Sequence, residues 1–213
     1  MEQSYWPLFN VRIRSARVEI RLATDDDLDA LARLASLGVH DPATMPFLKP
    51  WTDEPSPQLE RGLLQWGWSH RAAWRPESWT FNGAVVVDGE VVGVQDASAE
   101  HFADRRVVKT GSWLGREFQG RGVGTAMRAA MLAFVFDGLG AESAISGGFV
   151  DNPASLGVSR KFGYDESGRR TVSRRGQDAI VLELQLARAT WDRQSHDPVE
   201  IFGLDACREL FGA

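Results

Sequence analysis

Cysteine is almost missing from this chain. Cys207 is the single one among 213 residues, so no intrachain disulfide can form and a reducing compartment is the expected setting. Alone in the tail, Cys207 reads as a small core hydrophobe rather than a nucleophile. Long apolar runs are missing too, and none approaches the roughly 18 residues of a membrane span. Met1–Asn10 has no uninterrupted apolar stretch behind basic residues, so no secretory leader is expected and the cytoplasm is the expected location. Basic charge is in deficit: 24 Lys and Arg against 29 Asp and Glu leave a net charge of −5. A sequence-independent nucleic-acid binder needs the opposite balance, though a local basic groove for a phosphorylated ligand stays open. The four histidines, His40, His70, His101 and His196, are scattered without metal-ligand spacing, and no metal is expected. Internal repeats and low-complexity tracts are absent.

What is present is enough apolar residue, 43%, for one compact domain with a sizeable core. Val18–Leu22 alternates apolar and charged residues, as a half-buried strand does. Thr24 is placed to cap a helix whose first turn holds Asp25, Asp26 and Asp27, and Gly38 ends it. The three aspartates read as a helix start, not a metal site. Residues 39–79 are rich in Pro and Trp, with a helix expected over 57–73. This insert is too aromatic for a flexible linker. It either lines a substrate site or is ordinary core.

Strands are expected over 80–87 and 91–97, joined by an Asp88-Gly89 turn, and over 107–114. A helix over 122–136, a strand over 141–150, a helix over 152–162 and a strand pair over 165–174 and 179–187 follow. The tail carries a strand-like piece at 199–202 and a short helix at 205–211. Its Ile201, Phe202, Leu204, Leu210 and Phe211 are too apolar for a free terminus, so it is expected to pack on the domain or on a neighbouring subunit of a homo-oligomer. The order describes a mixed α+β sheet, not the strict alternation of a doubly wound fold.

The sharpest local feature runs from Leu114 through Gly115-Arg116-Glu117-Phe118-Gln119-Gly120-Arg121-Gly122-Val123-Gly124 to Thr125, joining a strand to a helix. Glycines let backbone amides approach a ligand, and the first turn of a helix holds an anion, so a pyrophosphate fits. Gly115 and Gly120 have P-loop spacing, but Arg121-Gly122 replace the Lys-Ser/Thr that would follow. Gly120 and Gly122 begin a dinucleotide fingerprint whose third glycine is missing at Thr125.

Gln119-x-x-Gly122-x-Gly124 resembles the Gln/Arg-x-x-Gly-x-Gly/Ala signature of GNAT acyltransferases. The string from Gly111-Ser112-Trp113-Leu114 to Thr125 resembles the RimJ/RimL-like branch, which modifies ribosomal proteins. So does the block Asn152-Pro153-Ala154-Ser155 with Arg160-Lys161-Phe162-Gly163-Tyr164. The resemblance covers about 18–187. It implies an N-terminal segment over 1–17, a GNAT domain over 18–187 and an extension over 188–213. It further implies a mostly antiparallel sheet of about seven strands flanked by helices, splayed between the fourth (107–114) and the fifth (141–150).

The implied reaction is transfer of an acyl group, acetyl first, from acyl-CoA to an amine by direct attack. Main-chain groups of Trp113 and Leu114 would bond the pantetheine arm, and amides of Gln119, Gly120, Arg121, Gly122, Val123, Gly124 and Thr125 the pyrophosphate. A bulge near Gly111 and Trp113 would aim an amide at the thioester carbonyl. Ser155 would assist the departing thiolate, with Asn152 capping its helix and touching the cofactor. The tyrosine that many members use for that purpose is replaced here by Ser159. Asn152 and Ser155 are also plain helix-capping types.

Asp96, Glu100 and Glu117 are the candidate bases, each equally readable as a solvated carboxylate. The acceptor decides how much base is needed. An α-amine of pKa near 8 is about a tenth neutral at pH 7; a lysine amine near 10.4 is neutral about once in 2,000, roughly 3 kcal/mol harder. A protein N-terminus, a lysine and a small amine all stay open as acceptors. Arg169, Arg170, Arg174 and Arg175 read as a solvated hairpin face, or else as a receiver for an acidic substrate or the adenosine 3′-phosphate. Three alternatives stand beside the main reading: a succinyl-CoA-dependent transferase, a non-catalytic CoA-binding GNAT module and a nucleotide-binding module. A buried succinyl carboxylate would need a cationic or multi-donor partner, and no single Arg or Lys is placed there by sequence.

Overall fold

The structure is a computed structural model describing residues 5–213. Residues 1–4, the start of the expected N-terminal segment, lie outside the described residues. The strands are β1 (Arg12–Arg14), β2 (Glu19–Leu22), β3 (Ser78–Val87), β4 (Glu90–Glu100), β5 (Val107–Leu114), β6 (Ser143–Phe149), β7 (Asp165–Arg174), β8 (Gln177–Ala187) and β9 (Glu200–Phe202). The helices are α1 (Asp25–Leu37), α2 (Gln58–Ala73), α3 (Phe102–Arg105), α4 (Val123–Ala133), α5 (Pro153–Lys161), α6 (Arg188–Asp192) and α7 (Arg208–Phe211).

One sheet runs in the order β7-β8-β6-β5-β4-β3-β2-β1-β9. It has nine strands, not about seven. The three residues of β1 are too few to show an alternation, and β9, the strand-like piece of the tail, docks beside β1 with Ile13 opposite Ile201. Every neighbouring pair is antiparallel except β5–β6. That parallel pair stops after Val107–Ser143, Val108–Ala144 and Lys109–Ile145, leaving 110–114 and 146–149 unpaired with each other. The splay expected between 107–114 and 141–150 is therefore present.

Local chemistry explains the elements. Thr24 and Asp27 form a reciprocal capping box at the start of α1. Asp25 accepts from Arg71 and Trp68 and ties α2 to α1. The β3–β4 hairpin turns at Asp88 (φ 51°) and Gly89 (φ 84°), the left-handed pair of a type I′ turn. Beyond α4, Phe134–Gly138 widens into a π turn. Phe134, Val135 and Phe136 are all fully buried within it.

α1 and α2 cover one face of the sheet over Leu28, Leu31, Ala84 and Val94. α4 covers the other with Met127, Ala130 and Met131 against Ile20, Phe81, Ala97 and Val108. The tail closes the second core. Phe211 and Cys207 are fully buried, and Trp74 and Trp79 donate to the carbonyls of Leu210 (2.8 Å) and Phe211 (3.0 Å). Burial pushes the Cys207 thiol up to about 11, as suits a small apolar filler. Phe211 sits edge-on against Trp74, Trp79 and Phe134. Phe211→Ala is expected to cost about 3–5 kcal/mol of stability, the range for an aromatic removed from a closed core. Urea unfolding measures it, and an unchanged midpoint would show that the tail does not hold this core.

Candidate active site

The glycine-rich stretch leaves β5, makes a short 3₁₀ turn over Arg116–Phe118 and enters α4. Gly120 (φ 72°) and Gly122 (φ 81°) both lie in the left-handed region, which L side chains rarely adopt. Gly122 is the N-cap of α4, and the first bond along the helix runs from Ala126 N–H to Gly122 O (3.1 Å). The amides of Val123, Gly124 and Thr125 therefore start the helix without an acceptor four residues back. Gly120, Arg121 and Gly122 are exposed, so the amide cradle opens to solvent. Gln119 differs: its N–H goes to Arg116 O (3.3 Å), and its side-chain amide pins Val39 O (2.6 Å) and Leu114 O (2.9 Å). It shapes the loop and ties it to the α1–α2 connection.

Sequence reasoning missed Arg17. Its guanidinium donates to Arg121 O (2.7 Å), and a Cβ added at Gly122 would lie 2.9 Å from its Nη1. This exposed cation borders the cradle from 104 residues away in sequence, so no local motif could reveal it.

From the cradle the gap between β5 and β6 narrows toward Lys109 and Ile145. Leu114 is buried toward α4. Trp113 pairs with Val94 across β4–β5 and packs on the α1–α2 side, its ring 5.6 Å from Trp51, which in turn lies 5.1 Å from Phe47. The bulge expected near Gly111 and Trp113 is not found. The β4–β5 register runs unshifted from Gly93–Leu114 to Ser98–Lys109. Side chains of β4 occupy Gly111 instead: Gln95 Nε2 donates to its carbonyl (2.9 Å), and its N–H donates to the Asp96 carboxylate.

Asp96 is opposite Gly111 and two residues from Val94, so it faces the α1–α2 side. A Cβ on Gly111 would lie 2.9 and 3.0 Å from its two carboxylate oxygens, so any larger residue there would have to displace the carboxylate. Burial drives its carboxyl above the usual range; the Gly111 N–H and the charges of Arg128, Lys109 and His70 pull back without cancelling it. Glu100 and Glu117, by contrast, are exposed; Glu100 accepts from Ser78 (2.8 Å), and Glu117 lines a cavity of about 290 Å³ behind Gly38.

On the β6 side, Asn152 caps α5 by accepting from Ser155 N–H (3.1 Å). Ser155 Oγ is 3.6 Å from where a Cβ on Gly148 of β6 would be, and makes no hydrogen bond among the described residues. Ser159 is buried within the helix base. The arginines of the β7–β8 hairpin are all paired: Arg169 with Glu166, Arg170 with Glu183, Arg174 with Asp151 and Arg175 with Asp53. Arg174 also donates to Met45 O (2.9 Å), and Arg175 to Pro42 O (3.1 Å) and Thr44 O (3.3 Å). They strap the α1–α2 connection across the splay. The five tryptophans of the insert divide: Trp74 and Trp79 are core, Trp51 meets Trp113, and Trp66 and Trp68 are partly exposed on α2.

A family model described as an acetyltransferase (GNAT) domain matches residues 17–165. Among solved structures, a chimera of the spermidine N-acetyltransferase SpeG from Vibrio cholerae and hSSAT is 16% identical with a TM-score of 0.68, over 84% of this chain and 100% of that one. RimL, a ribosomal L7/L12 alpha-N-protein acetyltransferase in complex with coenzyme A, is 17% identical with a TM-score of 0.65, over 81% and 95%. A GCN5-related N-acetyltransferase from Brucella melitensis is 16% identical with a TM-score of 0.66, over 85% and 80%. At these identities the three establish a shared fold.

Proposed function

This chain belongs to the GNAT acetyltransferase family and is an acyltransferase of that fold, and from that premise we propose how its own residues carry the transfer from acyl-CoA to an amine. The observation that carries the proposal is the alignment of an open amide cradle at α4 with a gap between β5 and β6 that closes beside Asp96. Val123, Gly124 and Thr125 amides, with Arg17, hold the pyrophosphate, where the helix dipole adds its positive end. The pantetheine lies in the gap, along the unpaired edges of 110–114 and 146–149.

The amine approaches from the α1–α2 side, past Trp51 and Trp113. Its neutral nitrogen attacks the thioester carbonyl carbon, the C–S bond breaks, and the sulfur leaves as a thiolate. Asp96 takes the proton that the nitrogen sheds. A carboxyl whose pKa is raised above the ordinary carboxylate range is a stronger base than an ordinary one, which suits that task. Ser155 donates a hydrogen bond to the thiolate, and Asn152 holds Ser155 in place by capping α5. The catalytic unit spans 18–187, with 188–213 closing the far edge of its core.

Thiol release with acetyl-, propionyl- and succinyl-CoA and mixed amines tests the reading. Release that depends on added amine supports it; binding of CoA without turnover would favour a non-catalytic module. Ser155→Ala is expected to lower turnover about tenfold to a hundredfold while CoA affinity holds, because the thiolate exists only once the bond is breaking. Full turnover at saturating thioester would reduce Ser155 to a structural residue.

A further inference from the structure

Arg128 is a buried cation without an anion. It projects from α4 toward the sheet, is only 4% exposed and forms no ion pair among the described residues. Its hydrogen bonds are long: Nε to Gln95 Oε1 and Nη1 to Ser146 Oγ, both 3.5 Å, at the outer limit for such bonds. A guanidinium has five N–H donors, and burying it without a paired carboxylate is strongly unfavourable. Asp96, whose carboxylate feels its charge, faces the other side of the sheet.

Its position is informative. Ser146 follows Ile145, the last β6 residue paired with β5, and Ser146 Oγ in turn donates to Thr110 O (3.4 Å), the first unpaired residue of β5. The guanidinium therefore sits at the apex of the splay, on its α4 side. A second unmet group lies beside it. Tyr164 is 7% exposed, its hydroxyl is buried with no hydrogen-bond partner among the described residues, and its ring centre is 5.9 Å from the guanidinium carbon. Gln95, fully buried, completes the polar lining. Unmet donors around one buried cation are complementary to a carboxylate.

We infer that Arg128, with Tyr164, binds the distal carboxylate of a short dicarboxylic acyl chain, such as succinyl, carried on CoA. The inference rests on the reading that the pantetheine arm fills the splay. An arm entering at α4 delivers its thioester to the apex. There the acyl chain turns to the α4 side and meets Arg128, while the amine reaches the carbonyl from the Asp96 side. The two faces of the sheet thus divide the work: one selects the acyl group, the other activates the acceptor. An acetyl group has no atom with which to satisfy Arg128.

Calorimetry on the full chain with free CoA, acetyl-CoA and succinyl-CoA tests this. Succinyl-CoA is expected to bind at least about tenfold tighter than acetyl-CoA. Arg128→Met, similar in length and apolar, is expected to erase that preference, leave free CoA within about twofold of the wild-type affinity, and melt no lower than the wild type. Equal affinity for the two thioesters in the wild type, with CoA itself bound, overturns the inference and leaves the CoA site standing. A preference that survives in Arg128→Met overturns it as well. Failure of all three to bind the wild type removes the CoA site and the inference together.

Discussion

Gly122→Asp is expected to abolish coenzyme A binding, raising the dissociation constant by at least about a hundredfold, or 2.7 kcal/mol. Gly122 caps α4 at φ 81°, in the middle of the exposed amide cradle. A carboxylate about 5 Å from a pyrophosphate repels each unit of its charge by roughly 3 kcal/mol at an effective dielectric of 20. The new carboxylate would also meet Arg17, whose Nη1 is 2.9 Å from the built Cβ, and take that cation from the ligand. Gly122→Ala separates charge from backbone strain. It carries the left-handed penalty of about 1–2 kcal/mol without the repulsion, so it should lose stability while keeping most of its affinity. Calorimetry and thermal melting on both variants decide the matter. Unchanged CoA affinity in Gly122→Asp would mean that the cradle is not the pyrophosphate site.

Asp96→Asn is expected to lower kcat by about a hundredfold to ten-thousandfold, the span of general-base catalysis, with little effect on CoA affinity. Two further readouts distinguish a base from a structural residue. The wild-type rate should rise with pH through the raised pKa of Asp96 and then level; the variant should lose that limb. Stability should move the other way. A carboxyl whose folded pKa lies above the unfolded value of about 3.9 binds its proton more tightly when folded. Its contribution to stability is therefore greatest when protonated, and falls as pH rises from that value through the raised one. Above that raised pKa the wild type carries a desolvated charge that Asp96→Asn removes, and there the variant should melt no lower. Activity within a few-fold of wild type would end the assignment of Asp96 as base.

Much of the fold was legible because its signals are local. The cap at Thr24, the stop at Gly38, the Asp88-Gly89 turn and the apolar face of the helix after Gly122 each sit within a few residues of the structure they specify. The family was legible for the same reason, since Gln119-x-x-Gly122-x-Gly124 and Asn152-x-x-Ser155 are contiguous blocks at fixed separation. The strand count was less legible, because β1 and β9 hold three residues each and are made strands only by each other and by β2. Gln119 looked like one more amide of the cradle, yet its own N–H is used in the preceding turn.

The active-site chemistry lay further from view. Three carboxylates were equal candidates for the base, and only the β4–β5 register sets Asp96 against Gly111 while Glu100 and Glu117 face solvent. Arg128 gave no sign in a helix of small apolar residues; its meaning comes from Gln95 and Ser146, 33 and 18 residues away, and from Tyr164, in the turn between α5 and β7. By itself the sequence determined the longer helices, the hairpins, the glycine turn and the family, because periodicity, caps and left-handed glycines act over one or two turns of chain; the short helices Phe102–Arg105 and Arg188–Asp192 gave no such signal. The tertiary structure alone decided which charges are buried and which ones meet, because burial and the pKa that follows from it depend on neighbours that strand register, not sequence proximity, brings together.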